Sequence, residues 1–180
     1  EISACLVGSE MCIRDSYEGE NGYAGEFGSM TDFSEHALIP QISLSSMAMR
    51  YVRRTLDSGS REKMLELGNI VDFSGENFVE KYLQGDETAL DIADNSAKIL
   101  AIAISNLVVM LDLSTVIING NLSLLGDKYL DAVNEYVHAN VFSKTTKCCF
   151  SPLGDKAILL GATETAVQTG IYAALEQSDE

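Results

Sequence analysis

The sequence predicts an α/β fold, and three observations support this prediction. The predicted elements follow the order strand, helices, strand, helix, strand, helix, which is typical of a layered α/β domain. A helix of about 25 residues is predicted from Asp86 to Leu111, and its second half is apolar on nearly all sides. Two short apolar runs follow, TVIINGN and TKCCFSP, each bounded by turn-forming residues. We therefore expect a layered α/β lobe in which helices pack on a sheet.

The first half of the chain contributes a glycine turn and several helices. The segment YEGENGYAGEFGSMTDF, residues 17–33, predicts a strand, a turn and a second strand. A helix is predicted after Pro40, because proline is favoured in the first helical turn. Shorter helices are predicted from Arg61 to Leu67 and from Gly75 to Leu83.

The second half alternates helices and strands. Asp86 is a suitable N-cap for the long helix, whose second half is expected at the centre of the domain. TVIINGN predicts a buried strand that ends in a turn. A helix follows over DKYLDAVNEYVHAN, with an apolar stripe of Tyr129, Val133 and Val137. The last helix is predicted from Asp155 to Glu176, and its alanines and glycines are expected to allow close packing.

Composition restricts the classes of function. The chain has 180 residues and a formal net charge of -15, so it suits one domain and is unsuited to binding a phosphate backbone by itself. No membrane span or signal peptide is predicted, which favours a cytoplasmic location. The adjacent cysteines Cys148 and Cys149 lack metal-ligand spacing and are expected to pack as small apolar residues.

The first sixteen residues are set apart from the rest. LVGSEMCIRDS resembles a translated sequencing-adapter sequence, so residues 1–16 are interpreted as a non-native leader. The interpreted domain is residues 17–180, a truncated C-terminal piece.

The stretch GYAGEFGSM, residues 22–30, surrounds one carboxylate, Glu26, with glycines. Glycine permits close approach of the backbone to a ligand, and a carboxylate can accept hydrogen bonds from hydroxyl groups. Two interpretations are open from the residues alone: a ligand clamp, or a structural turn whose glutamate faces solvent.

Three motifs in order resemble the ROK family of repressors, open reading frames and sugar kinases. They are GENGYAGEFGSM, NLVVMLDLSTVIINGNLS and SPLGDKAILLGATETAV, and together they span most of residues 17–176. The resemblance implies the second lobe of the actin-like ATPase (ribonuclease H-like) fold, with a mixed sheet flanked by helices and with the N-terminal lobe missing.

The resemblance also implies a sugar site in the glycine turn. The family's glutamate in this motif contacts sugar hydroxyls, and Glu26 occupies its position. Gly22, Gly25 and Ser29 complete the implied sugar-binding set.

Ser29 departs from the family pattern, which usually has a zinc-binding histidine there. The cysteine segment that would complete such a site is also missing from the residues that follow, and His36 stands alone. Imidazole and thiolate ligands act as a set, so we expect no zinc and no other metal. The family's second sugar-contacting glutamate has no clear counterpart near Gln41, which weakens the implied sugar site.

The turn after TVII departs as well. Where family kinases have a Gly-Gly pair that approaches ATP, this chain has Asn119 and Gly120, followed by Asn121. These three residues are interpreted as a vestigial nucleotide site, and the alternative is a plain strand-to-helix turn. No catalytic residue is predicted, because the family's catalytic aspartate belongs to the missing lobe.

The resulting hypothesis is the sugar-sensing, dimerising part of a ROK-type transcriptional regulator of carbohydrate genes. The implied partners are a sugar or sugar phosphate and a second copy, with DNA bound only through a missing N-terminal domain. The alternative is a fragment of an ATP-dependent sugar kinase, the one case in which ATP would be needed. A third possibility is a scaffold without a ligand.

Overall fold

The computed structural model describes residues 20–21, 23–30, 37–55, 74–142, 144–154 and 156–176. Six helices and two strands lie in these ranges. The helices are α1 (Ile39–Ile42), α2 (Leu44–Thr55), α3 (Gly75–Leu83), α4 (Glu87–Leu111), α5 (Gly126–Asn140) and α6 (Lys156–Glu176). The strands are β1 (Thr115–Ile118) and β2 (Lys147–Phe150), and 3-10 turns span Phe27–Ser29 and Asn121–Leu125.

The two strands form a small parallel sheet. Val116 lies opposite Cys148 and Ile118 lies opposite Phe150. The connection between the strands is α5, which packs against β2. The α/β class is therefore confirmed, and the described part of the sheet is parallel; the mixed sheet stays a prediction.

Helix α4 forms the centre of the core. It packs against α5, α2, α3 and α1, and its buried face includes Ile92, Leu100 and Ile104. The predicted stripe of α5 is confirmed, since Tyr129, Val133 and Val137 are all buried. Burial of these apolar side chains is the main source of stability in such a domain.

The helix starts follow local chemistry. The Asp86 carboxylate accepts a hydrogen bond from Ala89 N at 2.9 Å, which confirms the predicted cap of α4. A capping box begins α3, where Ser74 and Asn77 exchange side-chain and backbone hydrogen bonds. Because these bonds satisfy backbone groups that a helix leaves unpaired, both helices begin where the sequence predicts.

Two serines lie within the apolar face of α4, and both are satisfied. Ser96 Oγ lies 3.1 Å from the buried Tyr129 hydroxyl, and Ser105 Oγ donates to Ala101 O at 2.6 Å. Helix α4 is long and apolar enough to cross a membrane, but 56% of its most apolar stretch is buried in the protein. It is thus the core helix of a globular lobe.

Four sequence predictions need correction. Residues 20–21 and 23–30 form turns and a 3-10 turn and contain no strand, whereas residues 17–19 and 31–33 of the predicted strands lie outside the described residues. Strand β1 is mostly exposed, with only Ile118 buried. The second half of α4 is not enclosed, since Ile102, Val109 and Met110 are exposed.

Helix α6 departs most from expectation. The close packing predicted for its small residues is not observed where side chains are described, since Gly161, Ala162 and Ala166 are exposed. The predicted helix 61–67 and the flanks of the predicted hairpin lie outside the described residues.

Candidate functional site

The glycine turn that contains Glu26 is held by its backbone. Glu26 N donates to Tyr23 O at 3.3 Å, and Ser29 N donates to Glu26 O at 3.0 Å. Gly25 has φ +90°, a conformation that side chains with a Cβ rarely adopt. The turn therefore needs glycine at position 25 for its backbone geometry.

The turn is attached to the body of the protein by its apolar residues. Phe27 packs against the core, and a Cβ on Gly28 would lie 2.2 Å from Ile39 Cδ1. Met30 O accepts a hydrogen bond from Leu38 N at 2.8 Å, which joins the turn to the start of α1. The turn is therefore a fixed feature of the surface.

Three of the four predicted sugar-binding residues lie together in this turn. Gly25, Glu26 and Ser29 are all exposed, so the carboxylate and the hydroxyl are open to solvent. Gly22 lies outside the described residues. The arrangement could offer a carboxylate and a hydroxyl to a polyhydroxylated ligand, since charge-assisted hydrogen bonds to a carboxylate are the stronger kind.

The second predicted set lies in the loop after β1. Asn119, Gly120 and Asn121 are exposed, and Gly120 has φ +98° and ψ -164°. Its carbonyl accepts hydrogen bonds from Ser123 N at 3.2 Å and Ser123 Oγ at 2.9 Å. The loop enters α5 through the 3-10 turn, whose Leu125 is buried.

The geometry of this loop changes the interpretation of Asn119. Among the described residues, Asp112 is the one non-glycine residue with a positive φ, so Asn119 has an ordinary backbone. The conformation that needs glycine is at Gly120, which the chain keeps. The asparagine side chain therefore adds bulk to the loop without adding backbone strain.

The described residues do not fit a zinc ion. Within them there is no group of three or more His, Cys, Asp or Glu side chains arranged to hold a metal. Ser29 supplies only a neutral hydroxyl, whereas structural zinc sites use thiolate and imidazole. His36 lies outside the described residues.

Side-chain amide bonds between α5 and β2 were not foreseen from the sequence. Asn134 Nδ2 donates to Cys148 O at 3.0 Å, and Cys148 N donates to Asn134 Oδ1 at 2.8 Å. Cys148 is buried, and burial raises the pKa of its thiol to about 11, which suits a packing role. The pairing depends on tertiary proximity, so no local pattern could have indicated it.

A polar cluster also joins α4 and α5. The Tyr136 hydroxyl donates to Asp94 Oδ1 at 2.7 Å, and Lys98 Nζ lies 2.7 Å from Asp94 Oδ2. Burial alone would raise the pKa of Asp94, but the hydrogen bonds from Lys98 and Tyr136 outweigh it and lower that pKa. The spacing of Asp94 and Lys98, four residues apart on one helix, was a visible signal for the ion pair.

Comparison with known proteins settles the family. Residues 41–169 match the sequence profile described as the ROK family, which is more than half of the chain. The chain belongs to the ROK family. The family resemblance inferred from the three motifs is thereby confirmed.

One similar protein is named a xylose repressor, from Caldicellulosiruptor sp. (strain Rt8B.4). It is 23% identical to this chain, and the similarity covers 90% of this chain and 42% of that protein. The chain thus spans less than half the length of this relative.

Solved structures with the same fold include ROK proteins described as sugar kinases. A sugar kinase from Cytophaga hutchinsonii superposes with a TM-score of 0.69 at 21% identity, over 84% of this chain and 50% of that chain. The ROK glucokinase of Streptomyces griseus, crystallised with glucose and AMPPNP, gives a TM-score of 0.67 at 21% identity, over 84% and 54% respectively. At this identity the likeness establishes the fold and leaves the activity open.

Proposed function

We propose that this ROK chain is the sugar-sensing and dimerising part of a transcriptional regulator of carbohydrate genes. The observation that carries the proposal is the similarity to the xylose repressor relative, which covers 90% of the chain. The ligand would be a sugar or sugar phosphate bound at Glu26, Gly25, Gly22 and Ser29. DNA would be bound by a separate domain, because the net charge of -15 opposes contact with phosphates.

The departures at Ser29 and Asn119 support a sensor over a catalyst. A regulator needs only to bind its sugar more tightly in one conformation than in another, and that requires no ATP. Asn119 places a side chain where family kinases have the first of two glycines. The proposed protein is a cytoplasmic homodimer and contains no zinc.

The second candidate is an ATP-dependent sugar kinase. The sugar-kinase names of the structural neighbours favour it, as does the retained Gly120 with φ +98°. In this case residues 119–121 would approach the nucleotide, and the general base would lie in a further lobe.

Calorimetric titration distinguishes the two candidates. The protein made from the complete natural coding sequence is titrated with Mg-ATP, with and without candidate sugars such as xylose and glucose. We expect heat from a sugar and little or none from Mg-ATP, together with sugar-dependent release of a DNA fragment in a mobility-shift assay. Tight Mg-ATP binding with sugar-dependent formation of ADP would refute the regulator and establish the kinase.

A further inference from the structure

The loop that joins β1 to α5 contains an asparagine directly followed by a glycine. Asn119 and Gly120 are both exposed, and they follow Ile118, the last and only buried residue of β1. This pair brings a side-chain amide next to a backbone nitrogen that no neighbouring side chain shields. The two groups are therefore placed for a reaction with each other, in which the nitrogen of Gly120 attacks the side-chain carbonyl carbon of Asn119.

Both reacting groups are free of hydrogen bonds within the described part of the chain. The side-chain amide of Asn119 has no partner there, and the N–H of Gly120 has no acceptor. Only the carbonyl of Gly120 is engaged, by Ser123 N at 3.2 Å and Ser123 Oγ at 2.9 Å. Approach of the Gly120 nitrogen to Asn119 Cγ therefore breaks no hydrogen bond of the described residues.

The space around Gly120 also favours this approach. A Cβ built on Gly120 would meet no atom within 4 Å, so no packed neighbour hinders a local rearrangement. Glycine itself has no Cβ that would crowd the attacking nitrogen. Intramolecular reactions are fast when the two groups are adjacent and able to align. The loop thus meets the steric requirements of the reaction while the protein stays folded.

Two other asparagines show what prevents the same reaction. The side-chain amide of Asn134 is held by two hydrogen bonds to the backbone of Cys148. Asn140 is exposed, but the N–H of the following Val141 donates to Val137 O at 3.0 Å at the end of α5. In the first case the carbonyl carbon is immobilised, and in the second the attacking nitrogen is.

We propose that Asn119 is a site of spontaneous deamidation in the folded protein. A bond forms between Gly120 N and Asn119 Cγ, and the bond between Cγ and Nδ2 breaks. Nδ2 leaves as ammonia, together with the proton of the Gly120 N–H. Water then opens the cyclic imide at either of its carbonyls, which gives an aspartate or an isoaspartate at position 119.

Both products change the loop. Each adds a carboxylate, which opposes the approach of phosphate groups. In the isoaspartate the main chain runs through the former side chain and is longer by one methylene group, which displaces Gly120 O from Ser123 at the start of the 3-10 turn before α5. The modification is one-way and does not depend on whether the chain is a regulator or a kinase.

Peptide mapping by mass spectrometry tests the proposal on the folded product of the complete natural coding sequence. The protein is held at mildly alkaline pH and sampled over time, and fragmentation locates the mass change. Asn121 is the internal reference, because it is exposed in the same loop but is followed by Leu122. We expect deamidation of Asn119 to be at least about 10-fold faster, which corresponds to about 1.4 kcal/mol in the barrier.

Two glutamine variants provide a matched pair. Asn119→Gln should abolish the reaction at this position, because the extra methylene group removes the favourable ring closure. Asn121→Gln should leave the rate at Asn119 unchanged. Both variants should melt at the temperature of the unsubstituted protein, since both side chains are exposed. Enzymatic methylation of the free α-carboxylate should identify isoaspartate in part of the product from Asn119.

Three outcomes would overturn the proposal. Equal rates at Asn119 and Asn121 would mean that the following glycine gives no selectivity. Reaction of Asn119 only in urea would mean that the folded loop protects it. Isoaspartate formation that Asn119→Gln does not reduce would assign the reaction to another residue; Asn21, which also precedes a glycine, lies in a different tryptic peptide and is measured separately.

Discussion

Glu26 and Asn134 show how differently two polar residues serve this lobe. Glu26 is exposed on a turn that the backbone holds by itself, so its side chain is free to contact a ligand. Asn134 is half-buried, and its side-chain amide makes two hydrogen bonds to the backbone of β2. Substitution of the first should affect binding, and substitution of the second should affect stability.

Glu26→Gln should weaken sugar binding. The substitution keeps the shape and removes the charge-assisted part of the hydrogen bonds, which are worth roughly 1.5–3 kcal/mol with a charged group. Affinity for the sugar should therefore fall about 10- to 150-fold at about 1.4 kcal/mol per decade. Calorimetry on the complete protein measures the change.

The control for this substitution is Glu20→Gln, which alters an exposed glutamate before the glycine turn. It should leave affinity and melting temperature unchanged. An unchanged affinity in Glu26→Gln would make Glu26 a bystander, and a large loss of melting temperature would make it structural.

Asn134→Ala should lower the free energy of unfolding by about 2–4 kcal/mol, because it leaves the N–H and C=O of Cys148 without partners. Urea denaturation measures this difference. Asn95→Ala, at an exposed position of α4, is the matched control and should change stability by less than about 0.5 kcal/mol. Equal effects of the two substitutions would mean that water replaces the amide at Cys148.

At the scale of elements, α4 and α5 are joined by apolar packing and by the cluster of Asp94, Lys98 and Tyr136. Because the folded protein lowers the pKa of Asp94, this carboxylate stabilises the fold above its unfolded pKa of about 3.9. The contribution is lost as the pH falls through the lower folded pKa. We therefore expect the contact between these two helices to stabilise the protein less at acidic pH.

Tyr136→Phe should raise the pKa of Asp94 toward its ordinary value and reduce stability at pH 7. The Asp94 side chain is 42% exposed, so we expect a loss of only about 0.5–1 kcal/mol. Urea denaturation at pH 7 and near pH 2 should show a difference from the unsubstituted protein at the higher pH alone. A difference of the same size at both pH values would assign the effect to packing, and Tyr23→Phe, at an exposed tyrosine, is the control.

At the scale of the whole molecule, the sequence predicted the elements with strong local signals. Asp86 began α4, and the spacing of Tyr129, Val133 and Val137 located the buried face of α5. The glycine turn was predicted in place, but the described residues 23–30 contain no strand, and the contact of Gly28 with Ile39 leaves no local pattern in the sequence. The burial of β1 was overestimated, because an apolar run indicates that a strand favours apolar neighbours and does not show which residues supply them.

The residues of the candidate site were predicted from the family motif. The geometry of the site could not be predicted from the sequence. Backbone dihedrals decide whether Asn119 or Gly120 carries the unusual conformation, and the Asn-Gly pair alone allows either. The bonds between Asn134 and Cys148 join residues that are separated by a loop, so spacing along the chain did not indicate them.

The complete protein should contain no structural zinc. The donor chemistry at Ser29 motivates this prediction, since a hydroxyl cannot replace the imidazole and thiolates of such a site. Elemental analysis of protein purified without any chelator should give far less than one zinc per chain. One zinc per chain that survives dialysis would contradict the prediction and would direct attention to ligands outside the described residues.

The side-chain ties of α5 have a mechanical consequence. Three of the side-chain ties of this helix join Ser96 to Tyr129, Asp94 to Tyr136, and Asn134 to Cys148. Sliding α5 by the rise of one residue, about 1.5 Å, would stretch all three at once. We therefore expect α5 to move as one stiff unit, so that a displacement of the loop 119–125 at its amino end would be transmitted to β2.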